Sequence, residues 1–161
     1  MNGQQATAER LVGLISDTHG LVRPEAIEAL RGACLILHAG DVGNQRVLAE
    51  LKALAPVIAV RGNNDQGEWA ESLPLREVVE VGSVSIYMLH DLKEIDLNPP
   101  GANFQVVVSG HSHRPSVAER GGVLYVNPGS AGPRRFRLPV TVAHLRVSGE
   151  KVDARVIDLP V

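Results

Sequence analysis

Within the first sixty residues, three short apolar runs at 11–15, 33–37 and 57–60 alternate with two segments of helical periodicity. Apolar runs of this length, uninterrupted by polar alternation, read as strands buried on both faces. Pro24 suits the first turn of a helix whose apolar face is Ala26, Ile27 and Leu30, and Gly32 stops it. Asn44 is placed to cap a second helix over 45–54, with Val47, Leu48, Leu51 and Leu54 on one side. Strands that alternate with helices pair in parallel through right-handed crossovers. The first half therefore predicts a parallel sheet carrying helices.

The second half changes character. Short strands are expected at 75–81, 84–90, 105–109, 116–119, 122–126, 140–147 and 151–157. Gly82-Ser83, Gly121-Gly122 and Ser148-Gly149 read as hairpin turns. Between 91 and 103 one helical turn and a Pro99-Pro100 loop are expected. No repeat or linker separates the halves, so the 161 residues read as one α/β domain of two stacked sheets flanked by helices, with 1–9 as a flexible N-terminal extension.

Composition excludes several classes of function. The chain has five aromatic residues, so Val, Leu, Ile and Ala must fill the core, and no platform for stacking single-stranded bases is available. Its net charge of −2 and the absence of a dense Lys/Arg block argue against extended nucleic acid as a partner. No apolar run approaches the roughly 20 residues that span a bilayer, and the polar first ten residues do not read as a secretory signal. A cytoplasmic protein without membrane association is the expectation, and a homo-oligomer is left open. The single cysteine, Cys34, lies in an apolar run and reads as a buried, inert thiol.

Five polar groups each follow an expected strand: Asp17-Thr18-His19, Gly40-Asp41, Gly62-Asn63-Asn64-Asp65, His90-Asp91 and Gly110-His111-Ser112-His113. The C-terminal ends of strands in open α/β sheets border the ligand crevice, so these groups can converge. Asp17 and His19 are two apart, as are His111 and His113; in extended backbone each pair projects to one side and can grip one ion. Carboxylates, imidazoles and an amide without thiolate suit Mn²⁺, Zn²⁺ or Fe²⁺. Seven ligands exceed one tetrahedral site and suit two ions about 3.5–4 Å apart. Glycines 40, 62 and 110 let the chain turn tightly beside them.

The order of these groups resembles the calcineurin-like metallophosphoesterase superfamily, especially its minimal bacterial and archaeal phosphodiesterases. The Val126-Asn127-Pro128-Gly129-Ser130 loop is similar as well. The resemblance implies a four-layer αββα sandwich. It places Asp17, His19 and His113 on one metal, Asn63, His90 and His111 on the other, and Asp41 between them. The implied cofactors are two divalent ions, Mn²⁺ first, with Zn²⁺, Fe²⁺, Ni²⁺ or Co²⁺ as alternatives. The implied reaction is attack of a metal-bridging hydroxide on a phosphate ester, with Asp41, Asn63 and Asn64 as the catalytic set. Two divalent ions against Asp17, Asp41 and that hydroxide leave a charge of about +1, which attracts an anionic phosphoester.

Two residues depart from the pattern. Many relatives have His where Asn64 stands, and an amide cannot deliver a proton to a leaving group. Leaving groups that need little protonation, such as aryl phosphates, are therefore expected to be preferred, with Asn64 as a substrate contact. Asp91 stands where relatives usually have Gly, and Asp tolerates a left-handed turn. Arg134, beside Arg135, could reach a substrate phosphate, although a solvated surface pair is the plainer reading. Asp65 reads as a turn residue, His38 as either an orienting group or a satisfied core histidine, and His144 as structural. The competing function is a protein-interaction scaffold, as in the phosphoesterase-fold subunit of the retromer coat, since fold alone does not settle activity.

Overall fold

The computed structural model describes residues 8–161. The apolar runs form β1 (Arg10–Ile15), β2 (Leu35–His38) and β3 (Val57–Ala59), paired in parallel with β2 in the middle. Between them lie α1 (Pro24–Leu30), which begins at its proline, and α2 (Gln45–Lys52), whose Asn44 cap accepts a hydrogen bond from the Val47 amide. The chain adds one helical turn, α3 (Glu68–Glu71), that no periodicity announced because four residues are too few to show one. Then come β4 (Arg76–Val81), β5 (Val84–Leu89), a 3₁₀ turn at Leu92–Glu94, β6 (Val106–Val108), β7 (Ser116–Arg120), β8 (Val123–Asn127), β9 (Thr141–Ser148) and β10 (Lys151–Asp158).

Two mixed five-stranded sheets result, ordered β10-β9-β1-β2-β3 and β4-β5-β6-β8-β7. The hairpins at Gly82 and Gly121 stand where expected. The third turn is Gly149-Glu150, one residue later than predicted, because Ser148 still pairs with Lys151. Side chains of the two inner faces, among them Leu14, Leu37, Ile86, Met88, Val106, Val108 and Leu145, are fully buried and form the central core. Ile15, Ile36 and Val142 face the other way onto Leu30, Val47 and Leu51 of the helices. The outer face of the second sheet is covered by the 3₁₀ turn and the loop after it, through Leu92, Ile95, Leu97 and Phe104. The fourth layer is thus mostly loop.

Cys34 is exposed, contrary to the buried thiol expected. Strand β2 starts only at Leu35, so Cys34 lies ahead of it at the sheet's rim, where its amide donates to Leu11 O. Of the expected extension, residues 1–7 lie outside the described residues, and Glu9 pairs with Arg146 at 2.9 Å. Among the described residues, no helix is long and apolar enough to cross a membrane.

Candidate metal centre

Asp17 and His19 follow β1, Asp41 follows β2, Asn63 follows β3, His90 follows β5, and His111 and His113 follow β6. These are C-terminal strand ends in both sheets, and the ladders continue into the loops. Asp17 N donates to Gly40 O, His19 N to Asp41 O and Gly20 N to Val42 O, so the first two loops remain zipped beyond their strands. Gly110 N donates to His90 O, which does the same on the other sheet.

The loops do not hold the extended backbone that the two-residue spacing suggested. Asp17, His19, Asp41, His111 and His113 all have positive φ, between 48° and 72°. Left-handed backbone costs a non-glycine residue roughly 1–2 kcal/mol, and such strain gathers where surroundings over-determine it. One consequence is that His111 and His113 separate instead of gripping the same ion. His113 Nε2 lies 3.4 Å from both Asp17 Oδ1 and His19 Nε2. His111 Nδ1 lies 3.2 Å from Asn63 Oδ1.

Two groups of potential ligand atoms lie within 4.8 Å of one another: Asp17, His19 and His113, and Asp17, Asp41 and His90. Asp17 belongs to both. Asp41 also spans them, with Oδ2 3.8 Å from His19 Nε2 and 3.4 Å from His90 Nε2. The hydrogen bonding shows what such a cluster is suited to hold. Asp17 Oδ2 accepts from Ser16 Oγ and from the His111 amide, whereas buried Oδ1 has no hydrogen-bond donor and faces three imidazoles. His90 Nδ1 donates to Ala39 O, so neutral His90 turns the lone pair of buried, unpartnered Nε2 toward the Asp17 and Asp41 carboxylates. Lone pairs converging in a buried space fit a cation.

Charge effects agree with that reading. Burial pushes the Asp17 carboxyl up, but His113 and Ser16 beside it outweigh burial and hold it below the ordinary value. Burial likewise raises Asp41, yet His90 and the Asn64 amide hold it well below the carboxylate range. Burial lowers His90, but the Asp41 and Asp17 carboxylates raise it on balance, as they would favour any positive charge at that place.

Close packing explains two of the glycines better than backbone freedom does. A Cβ on Gly110 would collide with Ser16 Oγ and come within 2.6 Å of Asp17 Oδ2, and one on Gly62 would collide with Asp41. Gly40 does need its positive φ of 102°.

Several residues support the centre through partners that were not legible in advance. Asp65, read as a turn residue, is buried; its Oδ2 accepts from the Val42 and Gly62 amides and its Oδ1 from Gly43 N. It ties the loop carrying Asp41 to the loop carrying Asn63. His38 Nδ1 accepts from Gly40 N, so Nε2 carries the proton and donates to Thr18 Oγ1, which donates on to Val42 O. Asn127 donates to Gly110 O and Ser112 Oγ, and Ser130 Oγ donates to Asp17 O. His144 donates to Ala29 O and fastens β9 to α1.

Asp65→Asn is expected to lower stability by about 1–2 kcal/mol, because the amide must set an N–H group against one of three backbone N–H donors, two of them buried. Urea unfolding of the metal-free protein measures it. A change below about 0.5 kcal/mol would mean that this carboxylate is not what joins the loops.

Two expectations change, those for Asn64 and Asp91. Asn64 donates through both its backbone and side-chain nitrogens to Asp41, at 2.9 and 3.0 Å, so it orients that carboxylate. Arg134 stays exposed and outside the cluster, the plainer of its two readings, and its guanidinium donates to Leu138 O and Val161 O. Asp91 needs no left-handed turn, since its φ is −114°; it caps the 3₁₀ turn and places Oδ2 3.8 Å from His111 Nε2. Arg61, absent from the expected set, lines a cavity of about 350 Å³ that opens on Asn63, His90 and His111.

Two facing mixed sheets with an Asp/His/Asn cluster across their strand ends define an α/β protein with candidate divalent-metal ligands at the sheet-end crevice. The chain belongs to the calcineurin-like phosphoesterase superfamily, whose family model matches residues 11–150. It is 37% identical over 159 residues to the probable metallophosphoesterase of Methanothermobacter thermautotrophicus, covering 91% of each chain. Among solved structures it resembles Vacuolar Protein Sorting 29 of Cryptosporidium parvum, with TM-score 0.80, 25% identity and coverage of 94% of this chain and 92% of that one. It also resembles an archaeal phosphodiesterase, with TM-score 0.75, 25% identity and coverage of 91% and 99%.

Proposed function

We propose that this protein is a dinuclear-metal phosphodiesterase that hydrolyses a small phosphate ester. The observation that carries the reading is buried Asp17 Oδ1, without a donor, facing His113 at 3.4 Å and His19 and His90 at 3.9 Å. Asp17, His19 and His113 would hold one ion, Asn63, His90 and His111 the other, with Asp41 between them. Bound divalent ions would supply a hydroxide nucleophile near neutral pH and positive charge for the phosphate oxygens.

The protein's own residues set the rest. Asn64 and Asp65 fix Asp41 and its loop, and His38 locks the Thr18 and Gly40 loops together. Arg61 is positioned to meet a phosphate oxygen beside Asn63. Asn64, engaged on Asp41, puts an amide where many relatives have a proton-donating His, and esters of acidic alcohols are favoured. Manganese is the proposed native ion, and a cytoplasmic small phosphoester the proposed substrate. The scaffold alternative has the likeness to Vacuolar Protein Sorting 29 in its favour. The complete ligand set supports catalysis instead.

Chelation is expected to abolish hydrolysis of bis-aryl and mono-aryl phosphates, and two equivalents of Mn²⁺ to restore it above Zn²⁺, Fe²⁺, Ni²⁺ or Co²⁺. The rate should fall steeply as leaving-group pKa rises. Hydrolysis that survives chelation, His113→Ala and Asp41→Asn would end the proposal.

A further inference from the structure

The cover over the second sheet's outer face stops short of its edge. Over β7 it leaves a groove of about 430 Å³, of a size that takes a small organic ligand. Alternate residues of two strands make its floor: Ser116 opposite Asn127, and Ala118 opposite Tyr125, with Arg120 at the end. The small side chains of Ser116 and Ala118 keep it open. The four strand steps from Ser116 to Arg120 span about 13 Å.

Two features give the groove a direction. One end reaches Asp91 and His111, which also line the cavity beside Asn63, His90 and Arg61, so the two spaces meet at His111, one of the candidate ligands. Along the groove stand three cations, Lys93, Arg114 and Arg120, against the single carboxylate of Asp91. The Arg120 guanidinium carbon sits 4.9 Å from the centroid of the Tyr125 ring, which holds it across the floor. A monoester has one organic arm and needs one such space, whereas a diester has two.

Resting on the phosphodiesterase reading above, we propose that this groove is a subsite for one arm of a phosphodiester, and that the arm it takes is elongated and carries a second anionic group such as a phosphate. Its uncharged middle lies over Ser116 and Ala118. Its second anion meets Arg120, with Arg114 and Lys93 alongside. The other arm occupies the space beside Arg61.

Two pairs of probes test this in the manganese-loaded protein. In turnover, octyl p-nitrophenyl phosphate is compared with the same diester whose octyl chain ends in a phosphate. In calorimetric binding, octyl phosphate is compared with 1,8-octanediol bisphosphate, whose extended chain matches the groove floor in length. The additional phosphate is expected to lower KM, and to tighten binding, by about tenfold. Arg120→Ala should bring both ratios close to one, whereas Arg31→Ala, which removes the same charge from the end of α1, should leave them in place. If no p-nitrophenyl ester is hydrolysed, the phosphodiesterase reading fails, and the binding ratio still decides the groove. A ratio near one in the unaltered protein, or one that persists in Arg120→Ala, overturns the subsite.

Discussion

Asp17→Asn is expected to reduce kcat/KM for bis-aryl phosphates at least about 10³-fold, a loss near 4 kcal/mol of transition-state stabilisation. The size follows from how each oxygen is used. Oδ2 is held by two donors, the Ser16 hydroxyl and the His111 amide, so the oxygen of an asparagine amide must stay there. Its NH₂ then falls where Oδ1 lay, among His19, His90 and His113. A lone pair shared by both candidate ligand groups is replaced by a donor that repels a cation. Metal content should fall together with activity, and circular dichroism should show the fold retained. A variant that binds two ions and turns over near the original rate would remove Asp17 from the centre.

The second large effect is a loss of stability in acid that passes through His38. This histidine is fully buried, and its Nδ1 already accepts the Gly40 amide proton, so protonation would set N–H against N–H. Burial pushes the imidazole down to about 4 from the ordinary 6.5, against the opposing pull of the Asp17 and Asp65 carboxylates. Above pH 6.5 His38 is neutral in both folded and unfolded chains, and its contribution to stability is fully present. As pH falls from 6.5 toward 4, the unfolded chain takes up a proton that the folded chain refuses, and stability drops by about 3 kcal/mol. Below about 4 the loss is complete. In metal-free protein, His38→Gln should be less stable at pH 7 yet lose about 2–3 kcal/mol less than the unaltered chain between pH 7 and pH 4.5. Parallel pH profiles from urea unfolding would show that His38 is not the group responsible.

These two residues differ in how they could be known beforehand. Asp17 stands at the end of an apolar run, and a strand that buries both faces must release its first polar groups where the sheet ends. His38 is a histidine inside such a run, and nothing in the run says that its two ring nitrogens bridge Thr18 and Gly40. Asp65 poses the same difficulty, because its three partners come from loops more than twenty residues away or just across a turn. The left-handed backbone at five candidate ligands was also hidden. Spacing counts residues, but φ is set by the hydrogen bonds between neighbouring loops.

The order of the strands and of the first two helices, the pairing sense of the first three strands, two of the three hairpin turns and the roster of polar strand-end groups were determined by the amino-acid sequence alone. Each depends on burial or turn chemistry that acts over a few residues. Only the tertiary structure decided that Asn64 serves Asp41, that Arg134 is spent on backbone carbonyls, that Cys34 lies open and that a cationic groove flanks the centre. All of these depend on which distant segments come into contact, and that is settled when the two sheets close on a shared core.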